Sequence, residues 1–439
     1  MSGKKKCFLT LMLVAGMETL LSGCGAGTSV NDTVAQTNDS LTIYVLDTDQ
    51  SPFLDAPVAG YKKRYPDVEV EIKTIPAEDL ENQQKRIAAE LMAGDGADLY
   101  VDAISLIDDL YKAQETGALE DLMPWFSQME GFSEEDYVDG TFDLYEHTDA
   151  CYVFPLDFTG NMVAVRKNME EELGIDVNTW NDSSDMLDAI ELFYGKYPEE
   201  QPFLKMEPYR LFFAGYGYDI SDGMKNAEIL NSSVFQRDME YYKKQAYPEG
   251  TYVGEQSWEA YEAEFEKMLH EEKPYLGKFL YDDLRYYIQM GGEEKADLGM
   301  IYGADGAGIA YPFRNFAISS GSQNKRNAFQ LLQIIMEMET DNPQLSAPYT
   351  NKQITQEFLH QQKDKWMKDE VVIDGEIYAG LTEKTFSKLE EMYMEFFRVT
   401  VMQPYPDGMK YMEPYFTGES EMEECIEAFR NYLELYYSE

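Results

Sequence analysis

The groups through which this 439-residue chain can do chemistry are 82 acids, 36 bases, three histidines and four cysteines. Cleaving a glycosidic bond needs two carboxylates flanking it, and neighbours such as Asp108-Asp109 and Asp282-Asp283 supply the residue type. At this density of acids such neighbours arise by chance, so they carry no information about the required geometry. His147, His270 and His360 match no His-Glu-x-x-His helix, and no cysteine cluster supports zinc. GADGAG, residues 303–308, has its glycines in the wrong order for a dinucleotide turn, and the IAYPF that follows starts no helix, so it reads as a loop near a hinge. Ser322 and Lys325 have the Ser-x-x-Lys spacing of acyl-transfer enzymes without their companion motifs, and capping of the next helix accounts for Ser322. DTDQSPFLD opens like a calcium loop, but Pro52 stands where glycine is required and no glutamate closes it. The residues point to no catalytic group, no metal and no cofactor.

Cys24 is a different case. Lys4, Lys5 and Lys6 precede the apolar stretch from Cys7 to Met17, and the small residues Ser22 and Gly23 follow. That is the pattern of a signal peptide, too short for a hydrocarbon core of about 30 Å, which takes about 20 apolar residues to cross. Leu21-Ser22-Gly23-Cys24 resembles the bacterial lipobox, in which the thiol receives a diacylglycerol and the chain is cut before it. The expectation is a signal peptide over 1–23, lipidation at Cys24, and a flexible polar tether over 24–40. Cys151 and Cys425 then remain; spacing leaves a disulfide open, and two buried thiols are the favoured reading.

The formal charge is −46. A field of that sign repels phosphate backbones, which excludes nucleic acid as a partner. The acids are dispersed along helix-like segments and read as a solvated surface, with a cationic ligand as the alternative. About 400 residues of ordinary apolar content exceed a single core and call for two or more domains, hence a cleft.

The elements that position these groups follow from periodicity. LTIYVLDT, residues 41–48, suits a strand buried on both faces. A helix ending before Pro66, an alternating strand from Val68 to Ile75, a helix carrying Leu80, Ile87 and Leu91 and stopping at Gly94, and a strand from Ala97 to Val101 follow. Such alternation calls for a mostly parallel sheet covered by helices. Two extended runs flank the Pro-Leu-Asp-Phe-Thr-Gly link at 155–160, and a helical, tyrosine-rich middle reaches to about Met290. Residues 296–336 return to strands and a helix with Ser322 as its N-cap. The tail from Asp341 is mainly helical and ends in a helix with Ser420 and Glu423 as a capping box and Met422, Ile426, Phe429, Leu433 and Tyr436 on one face.

Together with the lipobox, the runs YKKRYPDVEVEIKTI, RIAAELMAGDGADLYV, ETGALEDLMPW, VFPLDFTGNMVAVRKNMEEELGI and FAISSGSQNKRNAFQLLQIIM resemble the extracellular solute-binding proteins of bacterial ABC importers, in the family that includes many sugar and oligosaccharide receptors. The likeness covers nearly the whole chain, though VRKN stands where relatives commonly read Tyr-Asn-Lys. It implies an α/β, two-lobed periplasmic-binding-protein-like fold of type II, each lobe a mixed, mostly parallel sheet flanked by helices and joined to the other by hinge strands. Residues 41–156 plus 297–340 would form the N-terminal lobe, and 157–296 plus 341–439 the C-terminal lobe, so that the chain crosses the hinge about three times.

In that fold a ligand sits beyond the carboxyl ends of strands, between the lobes. The rule selects Asp47, Asp49, Tyr100, Asp102, Asp157, Phe158, Tyr302, Asp305 and Arg314, faced by Tyr216, Tyr218 and Trp258 from the second lobe. Aromatic rings pack on the C–H face of a pyranose, and carboxylates and guanidinium groups bond its hydroxyls. Arg314, a cation in an acidic chain, is expected to pair a carboxylate or an anionic ligand group. The resemblance implies a monomeric, lipid-anchored receptor on the extracytoplasmic face of the membrane, delivering a small organic ligand, an oligosaccharide first, to permease subunits. A cell-surface glycan-active enzyme, a receptor for a polyamine or peptide, and an adhesion module are the alternatives.

Overall fold

Leu41, Ile43 and Val45 pack on one face of strand β1 (Ser40–Leu46), Tyr44 and Leu46 on the other, and all five are buried. The computed structural model describes residues 40–47, 51–144, 150–203, 230–252, 258–270, 274–281, 283–303, 306–341, 347–400 and 408–438, all within one compact unit. The segments expected to be signal peptide and tether, with Cys24, lie outside them, as do Asp49, Tyr216, Tyr218 and Asp305.

Parallel to β1 run β2 (Glu69–Ile75) and β3 (Leu99–Val101), connected by helices α1 (Asp55–Arg64) and α2 (Leu80–Ala93). α1 ends before Pro66, and α2 ends on Gly94, whose φ of 73° is the left-handed conformation that caps a helix. The strands continue as β4 (Phe154–Pro155), β5 (Phe158–Arg166), β6 (Gly277–Tyr281), β7 (Ala296–Met300), β8 (Gly308–Pro312), β9 (Asn315–Ile318), the hairpin β10–β11 (Val371–Ile373 and Glu376–Tyr378) and β12 (Phe397–Val399). Further helices are α3 (Leu110–Glu115), α4 (Ser183–Lys196), α5 (Ser233–Ala246), α6 (Trp258–His270), α7 (Leu284–Gln289), α8 (Lys325–Asp341), α9 (Lys352–Trp366), α10 (Glu383–Glu391), α11 (Gly408–Thr417) and α12 (Met422–Ser438).

The first sheet has the order β2-β1-β3-β9-β4 and the second β12-β8-β5-β6, with β7 also on β5. One face of the first sheet is covered by α1 and α8 through Val58, Tyr61, Phe329 and Ile335. Its other face meets α2 and α3, and that core continues through Phe158 and Met162 to Phe265, Phe358 and Leu389 beside the second sheet. The far face of the second sheet, with Val163 and Val165, is covered by α4, α5, α11 and α12.

Three expectations need correction. Residues 297–312, assigned by sequence to the first sheet, lie in the second, because β7 and β8 pair with β5. A mostly parallel sheet describes β2-β1-β3, whereas β5 is antiparallel to β6, β7 and β8, since it leaves the hinge while β7 and β8 return to it. The helices expected to begin at Ser322 and Ser420 begin later, at Lys325 and Met422: the Ser322 hydroxyl accepts the Asn324 N–H but donates to Asp98 at 2.6 Å, which fixes it as a loop tie. Cys151 and Cys425 are free and buried, in keeping with the reading as two thiols.

β6 falls in the stretch read as helical. Its apolar pattern is interrupted by Lys278, which is 1% exposed, with Nζ 3.1 Å from the ring centre of Tyr286 and 3.8 Å from that of Phe265. Burial holds this ammonium down to about 7, against ~10.4 in the unfolded chain. Between those values the unfolded chain binds the extra proton, so this group makes stability rise with pH across the window. Lys278→Met is therefore expected to stabilise the protein at pH 7 by about 1–2 kcal/mol and by progressively less toward pH 10, in urea unfolding followed at several pH values.

Candidate functional site

Two peptide segments join the sheets covalently at one place: β4 passes into β5 at Leu156-Asp157, and β8 into β9 at Phe313-Arg314. A third, residues 348–351, lies against them. Leu156 N–H donates to Arg314 O at 2.8 Å and Phe313 N–H to Asp157 O at 3.0 Å, while Phe158 N–H donates to Pro348 O and Thr350 N–H to Leu156 O, each at 3.0 Å. The three segments therefore form one hydrogen-bonded hinge.

Its side chains centre on Arg314 and Asp157, 4% and 1% exposed. Arg314 Nε donates to Asp157 Oδ2 at 2.8 Å, the Arg314 backbone N–H donates to Oδ1 at 2.7 Å, and Nη2 donates to the Tyr349 hydroxyl at 2.8 Å. The guanidinium carbon lies 5.1 Å from the ring centre of Phe53 and 5.3 Å from that of Tyr349. Of the two partners expected for Arg314, the structure supplies the carboxylate. Two of the selected residues are thus joined to each other as a structural pair rather than presented to a ligand.

Asp102 follows β3 with φ 62°, ψ 45°, a conformation that Asp and Asn tolerate better than most residues. Its N–H donates to Asn315 O at 2.8 Å, and Asn315 in turn accepts the Ile104 N–H on Oδ1 and donates from Nδ2 to Phe313 O. Burial, then the Asp157 carboxylate, push Asp102 up to about 7, with Arg314 pulling the other way. Asp47 stands exposed just past β1, and because β1 and β3 are parallel neighbours both carboxylates occupy the same edge of the first sheet.

Since Asp102 keeps its proton in the fold to higher pH than its ordinary ~3.9, its contribution to stability is complete below that value and lost as pH rises through about 7. Asp102→Asn keeps the neutral form and the backbone geometry. It is expected to be more stable than the native chain at pH 8 by on the order of 2 kcal/mol, the difference closing toward pH 4 in melting curves.

The other selected residues divide. Tyr100 and Phe158 are wholly buried: Tyr100 sits edge-on to Tyr44 at 5.8 Å and Phe158 packs on Tyr393 at 6.0 Å. As candidates for ligand contact they are corrected to core residues, because β3 and the start of β5 are covered on both faces. Tyr302 is half-buried in a bridge with Gly308 and touches the cores on both faces of the second sheet. Trp258 is the first residue of α6. Sequence reasoning missed Phe313, a large aromatic 46% exposed on the hinge itself. Its signal was available in YPFRNF, where the aromatic directly precedes the arginine already singled out.

A cavity of about 580 Å³ opens beside the third hinge segment, lined by Tyr137, Phe142, Asp139, Asp143 and Lys352 among others, and includes none of the selected residues. Among the described residues no cluster of three or more His, Cys, Asp or Glu is placed to hold a metal, and no helix is long and apolar enough to cross a membrane.

The family model for bacterial extracellular solute-binding proteins matches residues 47–339. No curated protein matches the sequence. Among solved structures, an ABC substrate-binding protein from Listeria monocytogenes in complex with cycloalternan is similar at a TM-score of 0.51 and 15% identity, over 91% of this chain and 99% of that one. The sugar-binding protein MalE from Xanthomonas citri is similar at 0.54 and 14%, over 90% and 96%. A Streptococcus pneumoniae solute-binding protein in complex with the blood group A-trisaccharide is similar at 0.53 and 15%, over 90% and 99%. At these identities the likeness is one of fold: sheets flanked by helices in a mixed α/β, two-domain, periplasmic-binding-protein-like arrangement.

Proposed function

Because the chain belongs to the bacterial extracellular solute-binding protein family, we propose that it is the lipid-anchored receptor of an ABC importer, capturing a small organic ligand, an oligosaccharide first, by hinge closure. The observation that carries this reading is the hinge: hydrogen-bonded crossings with an exposed ring, Phe313, whose segment is tied through Asn315 to Asp102, with Asp47 at the end of the strand next to β3. An aromatic face with hydrogen-bonding groups next to it is what a sugar ring requires. Fold relatives in complex with cycloalternan and with a trisaccharide support the ligand class.

On this reading Asp47, Asp102, Tyr302 and Phe313 take part in ligand contact, with Asp49, Tyr216, Tyr218, Trp258 and Asp305 as further candidates, and no covalent step occurs. The lobes divide near 156 and 313, Cys24 carries the lipid, the mature chain is monomeric, and the cargo passes to permease subunits. The two carboxylates at one sheet edge favour a second reading, a cationic solute such as a polyamine.

A thermal-shift screen of the purified mature chain against oligosaccharides, polyamines and short peptides tests both. Ligand at ~100 times its dissociation constant adds about 2.7 kcal/mol. An oligosaccharide that raises the melting point without being consumed supports the first reading, a polyamine the second. Hydrolysis of a glycan, or no response to any class, overturns both.

A further inference from the structure

The last helix, α12, belongs to the body built on the second sheet: Cys425, Ile426, Phe429 and Leu433 are buried in the core that holds Val163 and Val165. α3 belongs to the first, with Leu110 and Ala113 packed beside Ile87, Leu91 and Tyr44. The Tyr436 side chain reaches from one to the other. The Tyr436 hydroxyl donates to Asp109 Oδ1 at 2.6 Å, its ring lies 5.9 Å from that of Tyr111, and Lys112 Nζ stands 4.9 Å from its ring centre. Asp109 Oδ1 also accepts the Lys112 N–H at 2.9 Å, so the oxygen that caps α3 is the one that holds the tyrosine.

We propose that Tyr436 is a positioning residue for closure: its reach from α12 to α3 is a side-chain clasp between the two bodies, and making or releasing that clasp sets the balance of closed and open states. A further side-chain link between the bodies is of a different kind. Arg398 on β12 pairs with Asp143 at 2.9 Å and Asp139 at 3.4 Å, but there Val399 N–H also donates to Asp139 O at 2.8 Å, and a Cβ on Gly140 would stand 2.2 Å from Val399 O. Backbone ties and close packing make that contact part of the hinge. At Tyr436 the contacts with Asp109, Tyr111 and Lys112 run from side chain to side chain, and these can part while α3 and α12 stay intact. A tyrosine ladder backs the clasp, with Tyr436 5.9 Å from Tyr432 and Tyr432 5.0 Å from Tyr411, so the ring is held in place before it meets Asp109.

The inference rests on the receptor reading only for the purpose that closure serves; the equilibrium itself is measurable without ligand. Spin labels at Lys85→Cys on α2 and Glu427→Cys on α12 report the distance between the bodies in the ligand-free mature chain carrying Cys24→Ser, the Cys151 and Cys425 thiols being buried. Tyr436→Phe keeps the ring and removes the hydrogen bond; it is expected to raise the open-to-closed ratio a few-fold, and Tyr436→Ala about tenfold, with Asp109→Asn in between. Small-angle scattering on the unlabelled variants should show the same order of expansion. Distance distributions identical to the native one in Tyr436→Phe and Asp109→Asn would overturn the clasp. If Tyr436→Ala fails to fold, those two variants still decide. A chain that responds to no solute while its distances shift leaves the clasp standing and removes the receptor reading; a sugar-binding chain whose distances do not shift does the opposite.

Discussion

Arg314→Ala is expected to lower the unfolding free energy by about 3–5 kcal/mol, the cost of leaving a buried carboxylate without its cation. Asp157 is 1% exposed and receives both the Arg314 side chain and its backbone N–H, so removing the guanidinium takes the cation away from a full charge in a nearly dry site. The Tyr349 hydroxyl loses the Arg314 Nη2 donor in the same step, and Phe53 loses the cation over its ring. Arg314→Lys should recover little, because an ammonium cannot span Asp157 and Tyr349 in the planar fork that the guanidinium provides. Replacing both members by apolar residues, Arg314→Met with Asp157→Leu, is expected to cost far less than either single change. Urea unfolding of Arg314→Ala, Arg314→Lys, the double variant and its two single components checks this. If the double change were as damaging as the sum of the singles, the pair would not be acting as a unit. A functional consequence goes with it: Arg314 pulls Asp102 down, so its loss should push that carboxyl still higher and carry the pH response of the site with it.

Phe313→Ala is expected to leave stability within about 1 kcal/mol of native and to weaken capture of the sugar found by the melting screen about 10- to 100-fold. The two halves of that statement come from one observation. A ring 46% exposed contributes little to the core, and its backbone N–H, bonded to Asp157 O, is retained in the variant. A ring held at a hinge is, however, fixed in direction by the crossings on either side, which reduces the entropy lost on stacking. Phe313→Trp should preserve or tighten binding, since it enlarges the platform. Calorimetric titration is the measurement, and equal affinities for the native chain and Phe313→Ala would remove stacking at the hinge from the account.

The two effects separate the tasks of adjacent residues. Arg314 turns inward and holds the crossings together; Phe313 turns outward and leaves nearly half its surface exposed. Alternation along an extended segment is the cause, since neighbouring side chains leave opposite faces. Alternation alone would put Tyr100 and Asp102, two positions apart, on one face; they differ because the strand carries Tyr100 into a doubly covered sheet, and the chain then bends at Asp102 out of it.

Local pattern by itself determined a good part of this protein. The apolar run of β1, the stops at Pro66 and Gly94, the crossing at Asp157 and the pairing instinct of Arg314 are all readable, because each depends on residues within a few positions or on the cost of burying a charge alone. What the fold alone decided involves partners far apart in sequence. Lys278 hides β6 from any periodicity argument, and only the rings of Phe265 and Tyr286 packed around it show why a lysine is tolerated there. Residues 297–312 joined the second sheet because β5 offered them a hydrogen-bonding edge. Tyr436 shares a helical face with Leu433, yet its hydroxyl finds Asp109 more than three hundred positions away. Periodicity fixes which way a side chain leaves its own element; which neighbour waits there is set by how elements pack, and that information is not local.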